Sequence, residues 1–172
     1  MSKESTGRSR YAVLPPGLAP LYRRTLVFSA CLLVIPAIFP ALGIFAGLGI
    51  MPNGDFVAGL VDLFNGLVGV AGCALLGLTL LWARSGVIGN WVNISHVVGA
   101  RWTMIAISIL LVLVTPMLVM VDIATSSYSY FIPASIPFAS IVGTLLSFLP
   151  RKIAIVATHG ASEEYLRRVL KR

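Results

Sequence analysis

Long apolar runs separated by short polar joints set the pattern of this chain. Four stretches, residues 25–50, 57–82, 102–121 and 130–149, each reach the roughly 20 mostly apolar positions a helix needs to cross a hydrocarbon layer. The first is interrupted only by Pro36 and Pro40, and the second carries Asp62 as its single charge. In lipid every backbone polar group has to be satisfied within its own segment, so each run reads as a helix. The expected fold is all-α: a polytopic membrane protein with a four-transmembrane-helix bundle and a short basic C-terminal cytoplasmic helix. Residues 1–24 form a basic N-terminal segment, 25–149 the membrane domain and 150–172 a basic amphipathic tail.

Composition reinforces the pattern. Hydrophobic residues are 58% of the chain, charged residues 11%, and the mean hydropathy is +0.94, more apolar surface than a water-soluble domain of 172 residues could bury. The net charge of +7 does not point to nucleic acid, because no basic residue sits in an aromatic-interleaved or groove-reading arrangement. The first run follows a basic leader but is longer than a signal peptide's apolar core, and Met51-Pro52-Asn53-Gly54 offers no small-residue cleavage site, so it reads as a retained span. Neither end carries a lipidation motif.

Charge changes the picture by assigning an orientation. Lys3, Arg8, Arg10, Arg23 and Arg24 precede the first span, Arg84 and Arg101 lie between the second and third, and the remaining Lys and Arg follow the fourth. All thirteen therefore fall on one side, which the positive-inside rule makes cytoplasmic. Tyr22, Trp82 and Trp102 suit that interface, and Tyr128 and Tyr130 the opposite one. A bacterial inner membrane, with both termini in the cytoplasm, is the expected location.

Helices in lipid associate by close backbone approach, and small residues mark where. Pro36, Pro40, Gly43 and Gly47 share one face of the first span; Gly59, Asp62, Gly66, Gly69 and Cys73 share one of the second; Ala139, Gly143 and Ser147 share one of the fourth. The third span is mostly Ile, Leu and Val, which predicts a more peripheral helix. Prolines at 36, 40, 116, 133 and 137 predict kinks or local unwinding, with Pro133 and Pro137 tolerated in a first turn.

Candidate chemistry is sparse. Asp62 is the one ionisable residue expected inside the hydrocarbon, and Asp55 and Asn65 fall on roughly the same helical face, a candidate ion or proton site. The bland alternative makes Asp62 a first-turn residue favoured by the helix dipole. Residues 83–101 read as an interfacial segment along the membrane surface, with the Asn93-Ile94-Ser95 sequon on the wrong side for glycosylation. His96 and His159 read as solvated loop histidines that, with Glu163, make a poor zinc set. Cys31 and Cys73 read as small packing residues. At the C-terminus Ser162 suits an N-cap, Glu163 and Glu164 the first turn, and Arg167, Arg168, Lys171 and Arg172 the last, a surface for anionic lipid headgroups or a protein partner.

No nucleophile–base grouping, phosphate-binding glycine loop or acidic metal cluster appears, so no enzyme, metal or cofactor is expected. The first functional expectation is a non-catalytic integral membrane subunit or scaffold of a larger bacterial envelope assembly, docking protein partners through its helix faces and basic tail. The second is a small oligomeric transporter or channel component with a path lined by Asp62 and Asn65.

Overall fold

The computed structural model describes residues 11–15, 17–125 and 131–170, without the side chains of 11, 131–134 and 160–170. Strand β1 (Tyr11–Val13) leads into helices α1 (Leu18–Leu32) and α2 (Val34–Ile50), and a 3₁₀ turn (Met51–Asn53) leads into α3 (Phe56–Ser85). Strands β2 (Val87–Ile88) and β3 (Trp91–Asn93) precede α4 (Ile94–Ala124), followed by α5 (Phe131–Leu146) and α6 (Phe148–Leu170). Four helical stretches are long and apolar enough to cross a membrane: Leu18–Asn53, Phe56–Ser85, Ile94–Ala124 and Ser135–His159. The chain is a four-helix bundle of membrane-spanning character, its outer surface covered by exposed Phe, Leu, Ile and Met.

Proline explains why four spans are built from six helices. The first helical stretch begins at Leu18, about two turns before residue 25, and breaks at Leu33. Pro36 lies three residues after that break, and its ring excludes the carbonyl four residues before it, at Leu32. Leu33 N–H turns instead to Ala30 O at 3.3 Å. The fourth stretch repeats the device: α5 and α6 part at Ser147, three residues before Pro150, and Ser147 N–H is shared between Gly143 O and Thr144 O at 3.0 and 3.1 Å. Pro40, Pro116 and Pro137 are accommodated inside continuous helices.

The small-residue faces meet one another. Pro36, Pro40, Gly43 and Gly47 are the buried residues of α2, and Gly59, Asp62, Gly66, Gly69 and Cys73 are all buried in α3. At Gly66 an added Cβ would lie 2.5 Å from Pro40 O and 2.8 Å from Ile44 N, so the α2 and α3 backbones are in direct contact there. Ala139, Gly143 and Ser147 are buried as well, with Gly143 against Leu76 and Ser108.

The third span departs from the peripheral role expected of it. Its outer face, including Leu110, Leu113, Met117 and Met120, is indeed exposed. Val97, Ala100, Met104, Ser108, Leu111, Leu118 and Asp122, however, form a buried stripe at helical spacing, and α4 packs on α3, α5 and α6. Ser140 Oγ donates to Ser108 O at 2.7 Å across the α4–α5 contact. Isoleucine and leucine spread around the helix masked this stripe in the sequence.

The basic end also differs from expectation. Residues 83–101 do not form one segment of their own: α3 runs on to Ser85, β2 and β3 turn through Gly89 at φ 58°, and α4 begins at Ile94. Asn93, the sequon asparagine, is the N-cap of α4, its Oδ1 accepting from Ser95 Oγ at 2.6 Å and His96 N–H at 3.4 Å. His96 is thus a first-turn residue, half-buried, with its ring 5.3 Å from that of Trp82, and not a loop histidine. The N-terminal segment joins this end as β1, giving a three-stranded antiparallel sheet in the order β1-β3-β2. Ala12, Leu14, Val87 and Val92 are buried there. The C-terminal tail is not a separate helix capped at Ser162; α6 is continuous from Phe148 to Leu170, anchored through buried Ile153 and Ala157 beside α4 and β1.

Candidate functional site

The helical spacing that buries glycines on α3 buries polar side chains with them. Asp62 and Asn65, three positions apart, fall on the stripe that includes Gly59, Gly66 and Gly69, and so point inward. Asp122 ends the buried stripe of α4 in the same way, two residues before that helix finishes at Ala124. The antiparallel register of the two helices, fixed by Gly86 against His96, Gly99 against Trp82 and Gly72 against Leu111, brings Asp122 opposite Asn65. The three residues are 0%, 1% and 0% exposed for Asp62, Asn65 and Asp122.

Asn65 Nδ2 donates to Asp122 Oδ1 at 2.7 Å, a short bond of the kind made to an anionic or strongly polarised acceptor. The other polar atom of each partner is stranded: Asn65 Oδ1 and Asp122 Oδ2 are fully buried and accept no hydrogen bond. The carboxyls of Asp62 and Asp122 are close enough to interact electrostatically. Every Lys and Arg among the described residues lies toward the other end of the bundle, on the first turns of α1, the last turn of α3, the start of α4, or α6. The group therefore gathers two carboxyls and a carboxamide in a low-dielectric interior, away from the described basic residues.

The structure arranges the candidate residues differently from the sequence expectation. Asp62 is no first-turn residue: α3 starts at Phe56, and Asp62 lies wholly inside the bundle. Asp55 takes the N-cap position of α3 and is exposed, about 10 Å along the helix from Asp62, so it stands apart from the group. Asp122 replaces it. The sequence does place Asp122 at the end of an apolar run, but only the α3–α4 register connects it to Asn65. Ile136 of α5 lies against Gly69, so α5 begins near the level of Asn65, roughly 13 Å from the first residue of α3.

The other candidates fall into two sets. Gly43, Gly47, Gly59, Gly66, Gly69, Ala139, Gly143 and Ser147 are consumed by packing within the bundle. Arg167 and Arg168 lie on α6 but their side chains, with Lys171, Arg172, Tyr128 and Tyr130, fall outside what the structure describes. No group of three His, Cys, Asp or Glu able to hold a metal occurs among the described residues. His159 is exposed on α6, its Nδ1 2.9 Å from Ile155 O. Both cysteines are free, Cys31 exposed and Cys73 buried. Comparison with protein-family models, characterised proteins and solved structures returned no match.

Proposed function

We propose that the protein is a small, non-catalytic transport component of a membrane, built around a proton-binding site formed by Asp62, Asn65 and Asp122. The carrying observation is the pair of stranded buried acceptors, Asn65 Oδ1 and Asp122 Oδ2, on two groups that already share a hydrogen bond. An unsatisfied buried polar atom costs about 1–3 kcal/mol, and the stranded oxygen on Asp122 costs more if its carboxyl is charged. A single proton on Asp122 Oδ2 supplies the missing donor and removes one negative charge. A bound metal cation would also neutralise the charge, but Asn65 already turns its donor group toward Asp122, which suits a proton better than an ion needing only acceptors.

The scaffold reading draws less support. Its small-residue faces are occupied inside the bundle, which leaves the basic tail as its docking surface. The basic residues of α1, α3, α4 and α6 favour a cytoplasmic placement of that end and a bacterial inner membrane as the setting.

Infrared spectroscopy of the purified protein tests the reading directly. At neutral pH the wild type should show the carbonyl band of a buried protonated carboxylic acid, lost in Asp122→Asn or Asp62→Asn. Vesicles holding a pH-sensitive dye should then report proton uptake under an imposed potential, abolished by the same substitutions. Absence of the band in the wild type overturns the proton site; its presence without any flux reduces it to a structural proton.

A further inference from the structure

A second feature, independent of the acid group, lies at the basic end. A groove of about 600 Å³ runs between α1 and α3, within the volume range of sites for drug-sized ligands. Its walls include Val27, Ala30 and Cys31 on α1, and Cys73, Gly77 and Leu81 on α3, with no charged residue among its lining. From Leu81 the lining reaches Val70, eleven positions along α3, or roughly 16 Å. At the Leu81 end it adjoins a smaller, polar cavity of about 230 Å³ lined by Arg23, Arg84, Ser85, Val87 and Leu81 itself.

The two cavities share one wall residue and one pair of helix faces. Arg23, Val27 and Ala30 recur at helical spacing on α1, with Val34 at the start of α2 extending that wall, and Arg84, Leu81, Gly77 and Cys73 recur on α3. Arg23 Nε donates to Val87 O at 2.8 Å, fixing that guanidinium against β2 while leaving its other N–H groups to a ligand. Arg84 is exposed, and no acidic residue lines either cavity. The arrangement is that of an amphiphile: two guanidiniums and a hydroxyl at the level where the helices leave the apolar layer, with a fully apolar channel leading inward from them.

We infer that this composite site binds an anionic phospholipid, its phosphate between Arg23 and Arg84 and one acyl chain in the α1–α3 groove. The charge of the mouth selects an anionic headgroup, and the absence of polar lining beyond Leu81 excludes a soluble phosphorylated metabolite as the natural occupant. The break at Leu33, which lines the groove, opens it where α1 turns into α2.

Cys31, exposed on the groove wall, provides the readout. The purified protein in neutral detergent is titrated with phosphatidylglycerol, phosphatidylcholine or glycerol phosphate, and the rate of Cys31 alkylation by an apolar maleimide is measured alongside lipid retention in native mass spectrometry. Phosphatidylglycerol should protect Cys31 at concentrations roughly 30-fold below phosphatidylcholine, since each basic residue near a headgroup contributes about fivefold. Arg84→Gln should remove about fivefold of that preference, and because Arg84 makes no hydrogen bond within the described fold, the variant should fold normally. Ala74→Phe, which fills the groove from α3, should abolish protection while leaving both arginines in place. Equal protection by the two lipids, an unchanged preference in Arg84→Gln, or equal protection by glycerol phosphate would each overturn the inference.

Discussion

Gly66→Ala puts the α2–α3 seam to a quantitative test. The new Cβ would lie 2.5 Å from Pro40 O and 2.8 Å from Ile44 N, about 0.9 Å short of an ordinary contact at the nearer atom. Both neighbours are backbone atoms, and Pro40 sits inside α2, where its ring already restricts the helix, so no rotamer change relieves the clash. The helices have to separate locally, which loosens the contacts at Gly47–Gly59 and Gly69–Pro40 on either side. Overpacking of this kind costs about 1–3 kcal/mol, which at roughly 2–4 °C per kcal/mol for a chain of this length lowers the thermal midpoint by several degrees. Gly49→Ala is the control. It is helical and exposed, and an added Cβ meets nothing within 4 Å, so the reduced freedom of the unfolded chain should make it neutral or stabilising by up to about 1 kcal/mol. Thermal unfolding in one detergent, followed by intrinsic fluorescence, compares the two. A Gly66→Ala midpoint at or above the wild type would refute the backbone contact, and an equal loss in Gly49→Ala would show that the effect is not positional.

Asp122→Leu should destabilise the bundle by about 1–3 kcal/mol, because Asn65 Nδ2 loses its acceptor in a dry interior. Asp122→Asn, which retains an acceptor, should cost clearly less in the same unfolding assay. Asn93→Ala removes the N-cap of α4 and should cost about 1 kcal/mol, seen as faster hydrogen exchange over residues 94–98 without change in the middle of the helix. Pro150→Ala restores the N–H and removes the ring that parts α5 from α6; spin labels at exposed Ile141 and Ile155 should report a straighter and narrower distance distribution. An unchanged distribution would assign the break to the surrounding packing instead.

Periodicity made most of the bundle legible. The number of spans follows from apolar run length, and the faces that meet follow from Gly43, Gly47, Gly59, Gly66 and Gly143, because in lipid small residues are what lets backbones approach. What stayed hidden depended on pairings between distant segments. Tyr11–Val13 is too short to carry a strand signal and becomes one only because β3 offers it an edge. Ile94–Val98 looked like a surface segment because its apolar positions alternate with polar ones, yet Asn93 caps a helix there and Gly99 admits the ring of Trp82 at 3.2 Å. Pro150 lies just beyond the last apolar run and is not among the prolines expected to kink a span, yet the helix breaks at Ser147, three residues before it.

On the proposed reading, the same distinction bears on how Asp122 would exchange a proton. Asp62 and Asn65 belong to α3, which is locked to α2 by contacts between main-chain atoms at Gly66. Asp122 belongs to α4, whose approach to α3 at Gly72 is mediated by a side chain, the methyl groups of Leu111. A main-chain contact has no side-chain torsion with which to absorb a displacement, whereas a leucine contact can yield by a change of rotamer. The compliant partner in the site is therefore α4, and its terminal turn, only two residues beyond Asp122, is the part of the wall with the fewest helical hydrogen bonds to break. Movement there would separate Asp122 from Asn65 without disturbing the α2–α3 hairpin, so the proposed reading expects seam stability and access to the proposed proton site to be separately adjustable by mutation.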